Sequence, residues 1–146
     1  MVKKLPFSEF KSIYSRVPRL CVEVIITNEN GVLLTKRIIP PSKGYWHFPG
    51  GTVLLGESLR MAVKRVAREE VGLEVEVIKC LGTIEFSLKS VEFGQVISIP
   101  FLVKIVGGEL KGSEQATELK FFKKIPQKTV RGHLDFCSKE LGFDAM

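Results

Sequence analysis

Residues 50–73, GGTVLLGESLRMAVKRVAREEVGL, carry the reading from which the rest of the chain follows. Between Ser58 and Val71 the apolar residues Leu59, Ala62, Val63, Val66 and Ala67 recur on one face at helical spacing, and Gly72 can terminate the helix. At ~100° per residue, Glu70 falls in the middle of the stripe made by Leu59, Val63 and Val66. An ionised carboxylate buried without a partner is costly, so Glu70 calls for a cation, an arginine, or exposure at the end of the stripe. Arg65 and Glu69 stand four apart, where opposite charges meet on a helix surface. Gly50 and Gly51, after Pro49, let the backbone approach a ligand and can turn a carbonyl toward a hard cation.

Outward from this segment, Phe7, Phe10, Ile13 and Tyr14 predict a short helix ending before Pro18. Leu20 to Thr27 and Val32 to Arg37 read as the strands of a hairpin turning through Asn28-Glu29-Asn30-Gly31. A loop at 40–44 leads to an aromatic strand from Tyr45 to Phe48. On the other side, strands are expected between Val75 and Phe86, between Val96 and Val106, and at Leu119 to Phe122. A closing helix is expected over Gln127 to Leu141, starting just after Pro126. Strands and helices interleave without a regular βαβ repeat, which favours an α/β fold with a mixed sheet covered by helices. No linker or repeat divides the chain, so residues 1–146 read as one domain.

Composition bounds the function without choosing it. Hydrophobic residues make up 45% and charged residues 26%, ordinary for a globular protein. No apolar run is long enough for a bilayer and the amino terminus lacks a signal-peptide core, so a cytoplasmic protein with no membrane partner is expected. Cys21, Cys80 and Cys137 lack ligand spacing and read as reduced thiols. A net charge of +6 favours anionic partners of nucleotide type. Nucleic acid itself is not expected, because Lys120, Lys123, Lys124 and Lys128 cluster without aromatic interleaving.

Taken together, the segment resembles the Nudix box: a glycine, five residues, a glutamate, seven residues, then Arg-Glu-apolar-any-Glu-Glu-any-Gly-apolar. Gly51, Glu57, Arg65, Ala67, Glu69, Glu70, Gly72 and Leu73 match it in register across residues 51–73. The resemblance implies an α/β/α sandwich that holds Mg²⁺ or Mn²⁺ against a diphosphate. One position departs, since Val66 stands where the family has a glutamate. The GDP-mannose mannosyl hydrolase branch shows the same loss, and the helix before Pro18, the LLTKR strand and PSKGYWHFPGG are similar to that branch too.

Carried over, the branch implies the Gly50 carbonyl, Glu70 and Gln115 as metal ligands, Arg37 on the diphosphate, and a homodimer. Glu69 is a further ligand or an orienting group paired with Arg65. The branch's arginine after its two glycines is Thr52 here, and its basic histidine after the glutamine is Ala116. Glu114 and Glu118 can then serve as the base, which favours attack at phosphorus over attack at a sugar carbon. Tyr45, Trp46 and Phe86 can stack a base or fill core, and His47 and His133 read chiefly as residues outside the site. The expected activity is hydrolysis of a nucleoside diphosphate linked to another group, either a nucleotide sugar or a nucleoside triphosphate. The alternatives are a nucleotide-binding module without catalysis and glycosyl hydrolysis of the branch type.

Overall fold

The computed structural model describes residues 3–40, 42–88, 91–114, 116 and 118–146. In chain order the elements are α1 (Phe7–Tyr14), β1 (Arg19–Ile25), β2 (Thr27–Asn28), β3 (Gly31–Lys36), β4 (Trp46–His47), β5 (Gly50–Thr52), α2 (Leu59–Val71), β6 (Leu73–Cys80), β7 (Ile84–Glu85), β8 (Val96–Gly108), β9 (Glu118–Phe122) and α3 (Arg131–Lys139). A five-stranded sheet runs β5-β1-β8-β6, with β7 also on β8; β1 and β8 are parallel, and the other pairs antiparallel. A second sheet, β2-β3-β4 with β9 on β3, is antiparallel throughout.

Strand β1 shows why the sheet is covered on both sides. Val22, Val24 and Ile25 are fully buried, as a strand enclosed on both faces requires. Val22 and Val24 pack with Ala62, Val63, Val66, Ala67 and Val71 of α2. Ile25 packs with Phe48, Ile125, Phe136 and Cys137 on the side of α3. The result is the expected layering of helix, sheet and helix.

Three expected boundaries are corrected. The anticipated hairpin splits: β1 leaves for the larger sheet, while Thr27 and Asn28 pair back onto β3 and Leu33 N–H donates to Ile26 O at 2.9 Å. The aromatic strand contracts to Trp46 and His47. The last helix begins at Arg131, not after Pro126, because the intervening residues bond to strand β4 instead. Trp46 N–H donates to Lys128 O at 2.9 Å, Val130 N–H donates to Trp46 O at 2.9 Å, and the Thr129 hydroxyl donates to Pro126 O at 2.6 Å. Cys21, Cys80 and Cys137 are all free thiols. Among the described residues, no helix is long and apolar enough to cross a membrane.

Two devices fix α2 against the sheet. Ser58 caps its start, accepting the Met61 N–H at 3.1 Å, and Gly72 ends it at φ 73°. The preceding loop is clasped by Arg65, whose Nε and Nη2 donate to the two oxygens of Glu57 at 2.7 and 3.0 Å. Nη2 also donates to Thr52 O at 2.8 Å, while Leu54 N–H donates to Glu57 Oε1 at 3.0 Å.

A Cβ at Gly72 would meet the Glu109 carbonyl and the Lys111 side chain, in a left-handed conformation that costs any other residue energy. Gly72→Ala is expected to destabilise by about 1–3 kcal/mol, lowering Tm by roughly 2–4 °C per kcal/mol, read by thermal unfolding. The Arg65 guanidinium holds the Glu57 carboxyl below the usual carboxylate range. That stabilisation is present above the unfolded carboxylate pKa and is lost as pH falls through the lower folded value. Glu57→Gln is therefore expected to cost about 2 kcal/mol near pH 7, with the Tm difference from wild type closing under acid.

Candidate active site

A cleft of about 840 Å³ opens where α1, the ends of β1 and β5, and the carboxyl half of α2 meet. Its lining includes Arg37, Gly50, Arg65, Glu69 and Glu70, so the box residues and the distant arginine do converge. Glu70 is half-buried, accepts the Ser113 hydroxyl at 3.2 Å, and has no ion-pair partner among the described residues. Burial pushes its carboxyl above the usual range. Glu69 receives Lys4 Nζ at 2.8 Å and Arg65 Nη1 at 3.2 Å, both on Oε2. Its Oε1 has no hydrogen bond among the described residues.

Arg37 donates through Nη2 to Pro40 O at 3.2 Å, while its Nε is buried without a partner. Desolvation lowers its pKa, opposed by Glu70 and Glu92 and reinforced by Arg19. Arg65 is committed: Nε, Nη1 and Nη2 all bond to protein oxygens, so it orients the loop and Glu69. Val66 is 1% exposed and packs against Gly51, where the family's glutamate would reach the cleft.

Other expected residues lie elsewhere. Glu114 and Glu118 are exposed and do not line the cleft, and Glu118 is 3.6 Å from Lys36 Nζ. Ala116 is buried, and Gln115 lies outside the described residues. Tyr45 and Trp46 do not line the cleft either, whereas Phe86 does. Trp46 packs edge-on against Phe122 at 4.8 Å, and the Tyr45 ring sits under Lys128 Nζ at 5.3 Å. Trp46 is thus packed against the body of the protein, while Tyr45 is exposed.

The sequence reading missed a buried polar group beneath the cleft. Phe48 N–H donates to His133 Nδ1 at 3.1 Å, which makes that nitrogen an acceptor and puts the imidazole proton on Nε2. Nε2–H then meets Glu23 Oε1 at 3.1 Å, with both side chains buried. The carboxylate lies against Gly50, where any Cβ would collide with it. His47 donates from Nδ1 to Phe48 O at 2.7 Å, and burial next to His133 drops its pKa to about 4, leaving it neutral. The signal was available: Glu23 interrupts the apolar run LCVEVII as Glu70 interrupts its helical stripe.

The cleft's donors are hard oxygens, from the Gly50 carbonyl, Glu69 and Glu70, the chemistry that suits Mg²⁺ or Mn²⁺. Among the described residues, no three of His, Cys, Asp and Glu stand together as a complete metal-binding group. A cation here would therefore rely on backbone oxygen, water or substrate for part of its shell.

Comparisons with known proteins bear on the family and the fold. The model of the NUDIX domain matches residues 17–126. The low-salt glycan biosynthesis protein Agl8 of Haloferax volcanii is 34% identical over 125 residues, 82% of this chain and 80% of that protein. An ADP-ribose pyrophosphatase of Methanocaldococcus jannaschii is 41% identical over 105 residues, 72% of this chain and 62% of that protein. Among solved structures, a MutT protein from Methanosarcina mazei Go1 is 30% identical at a TM-score of 0.63, covering 72% of this chain and 76% of that one. A MutT Nudix hydrolase from Burkholderia pseudomallei superposes at a TM-score of 0.73 over 86% of this chain and 99% of that one, at 23% identity, a likeness of fold. With the box in register, the layered fold in place and the family model spanning most of its length, this chain belongs to the Nudix family.

Proposed function

We propose that the protein is a divalent-cation-dependent pyrophosphohydrolase that cleaves a nucleoside diphosphate linked to a second group, with water attacking phosphorus. The observation that carries this reading is Glu70: a half-buried carboxylate in a cleft with an arginine, and no ion-pair partner among the described residues. The relative named an ADP-ribose pyrophosphatase supports a phosphoanhydride as the bond broken.

Glu70, the Gly50 carbonyl and Gln115 would hold Mg²⁺ or Mn²⁺, with Glu69 able to join them. When bound, the cation would neutralise phosphate charge and acidify a coordinated water. Arg37, which lines the cleft, would donate to a phosphate oxygen, screening charge on the leaving group. Arg65 positions the loop and holds Glu69 by Oε2 alone, which leaves Oε1 to accept the proton of the attacking water. As the new O–P bond forms, the bridging O–P bond breaks and the leaving phosphate departs. Glu69 is better placed for this because it lines the cleft, which Glu114 and Glu118 do not.

Removing the Glu70 charge separates binding from folding. Glu70→Gln is expected to leave the metal-free protein at least as stable as wild type, because a desolvated charge is gone. Mn²⁺ is expected to raise the wild-type Tm and not that of the variant. A variant that Mn²⁺ still stabilises fully would remove Glu70 from the metal site.

Glu69→Gln is expected to lower kcat by roughly 10²-fold or more, with Glu114→Gln and Glu118→Gln close to wild type in a hydrolysis screen of nucleotide sugars and nucleoside triphosphates. Turnover of a nucleotide sugar in ¹⁸O-water should put label in a phosphate product. Label confined to the released sugar would assign attack at carbon instead.

A further inference from the structure

Arg19 opens β1 and points its guanidinium into the same cleft as Arg37. Its Nη1 donates to Thr52 Oγ1 on β5 at 3.0 Å and makes a longer contact to Cys21 Sγ at 3.6 Å. The Phe10 ring of α1 lies 5.2 Å from its Cζ, close enough for a cation–π contact. Among the described residues, Nε and Nη2 of Arg19 have no hydrogen-bond partner, and no carboxylate forms an ion pair with it.

Arg37 is in the same condition. It too lacks an ion pair among the described residues, and its Nε is buried without a partner. Arg19 repels the Arg37 guanidinium while Glu70 and Glu92 attract it, so the two guanidiniums share one cleft with carboxylates yet keep N–H edges that no described carboxylate bonds. An anion reaching between them would engage those edges, and the planar fork of arginine matches phosphate oxygens in pairs.

We infer that Arg19 is a second diphosphate-binding fork, aimed by Thr52 and Phe10 so that it and Arg37 bracket the two phosphates. The inference rests on the reading of the cleft as a diphosphate site. Thr52 has a defined part in it: its hydroxyl fixes one corner of the guanidinium and leaves the Nε and Nη2 edges to donate. Phe10 holds the plane of the fork from the side of α1, without competing for its hydrogens.

The test is binding of inorganic pyrophosphate with Mg²⁺, by calorimetry, to wild type and to R19Q, R19K and Thr52→Val. R19Q is expected to weaken binding by roughly ten- to a hundred-fold. R19K should fall between it and wild type, since a lysine restores charge without the fork. Thr52→Val should lose only a few-fold, because it keeps the charge and removes its anchor. On the substrate that a hydrolysis screen identifies, R19Q should raise KM by a factor similar to its binding loss and leave kcat within a few-fold, as for a contact made equally in ground and transition states. Wild-type binding of pyrophosphate that R19Q retains undiminished, with an unchanged Tm, overturns the role of Arg19 alone. Failure of the wild-type protein to bind pyrophosphate or any nucleoside diphosphate overturns the diphosphate reading and the Arg19 role with it. A large loss of Tm in both R19Q and R19K assigns Arg19 to folding and likewise overturns the inference.

Discussion

The ion pair between Arg65 and Glu57 is the contact on which the rest of the site depends. One guanidinium ties the glycine strand β5, the turn before α2 and the helix into a single unit, through Thr52 O, both oxygens of Glu57 and Oε2 of Glu69. Its side chain and that of Glu57 are 12% and 9% exposed, so the pair is shielded from solvent far more than an ordinary surface bridge. The turn would otherwise be free to swing away from the helix. With it clasped, the Gly50 carbonyl and the helix carboxylates stay on a common frame, as a site built on rigid elements requires.

Around that frame the cleft is electrostatically unfinished. Among the described residues neither Glu70, Arg37 nor Arg19 has an ion-pair partner, although Glu70 and Arg37 attract each other across the cleft. On the proposed function, a metal-bound diphosphate would supply a complement to both signs of charge at once. Glu69 behaves differently: Lys4 and Arg65 already neutralise it on one oxygen. Neighbouring carboxylates on one helix turn have been given different environments, which is the usual structural route to different chemical tasks.

Much of this was legible in the sequence because periodicity and charge disagreed in one place. A glutamate in an apolar helical stripe identified Glu70, and spacing alone paired Arg65 with Glu69. The fold class followed from the order of elements. What the sequence did not reveal depends on tertiary contacts with no local signature. The Glu23–His133 pair joins residues far apart in the chain, and the residues after Pro126 favour helix locally but bond to Trp46 instead. Glu114 and Glu118 belong to a segment that reads as an acidic catalytic loop, and only the three-dimensional course of the chain shows that Glu118 opens β9 and that neither residue lines the cleft. Tyr45 and Trp46 illustrate the same limit, since an aromatic beside a glycine loop can stack a base even though core is its usual place.

The parallel pairing of β1 with β8 has a consequence for the order of assembly. Residues 19–25 lie beside residues 96–102 in this register, so the strand carrying Arg19 and Glu23 gains one of its two neighbours only after most of the chain has been synthesised. Closing so long a loop is slow relative to local hairpins and helices. During synthesis β1 remains a β-branched apolar segment with an open edge, the kind of segment on which misfolding and association begin. The cleft is thus a late product of folding, and α2 can be helical well before there is a site for its carboxylates to serve.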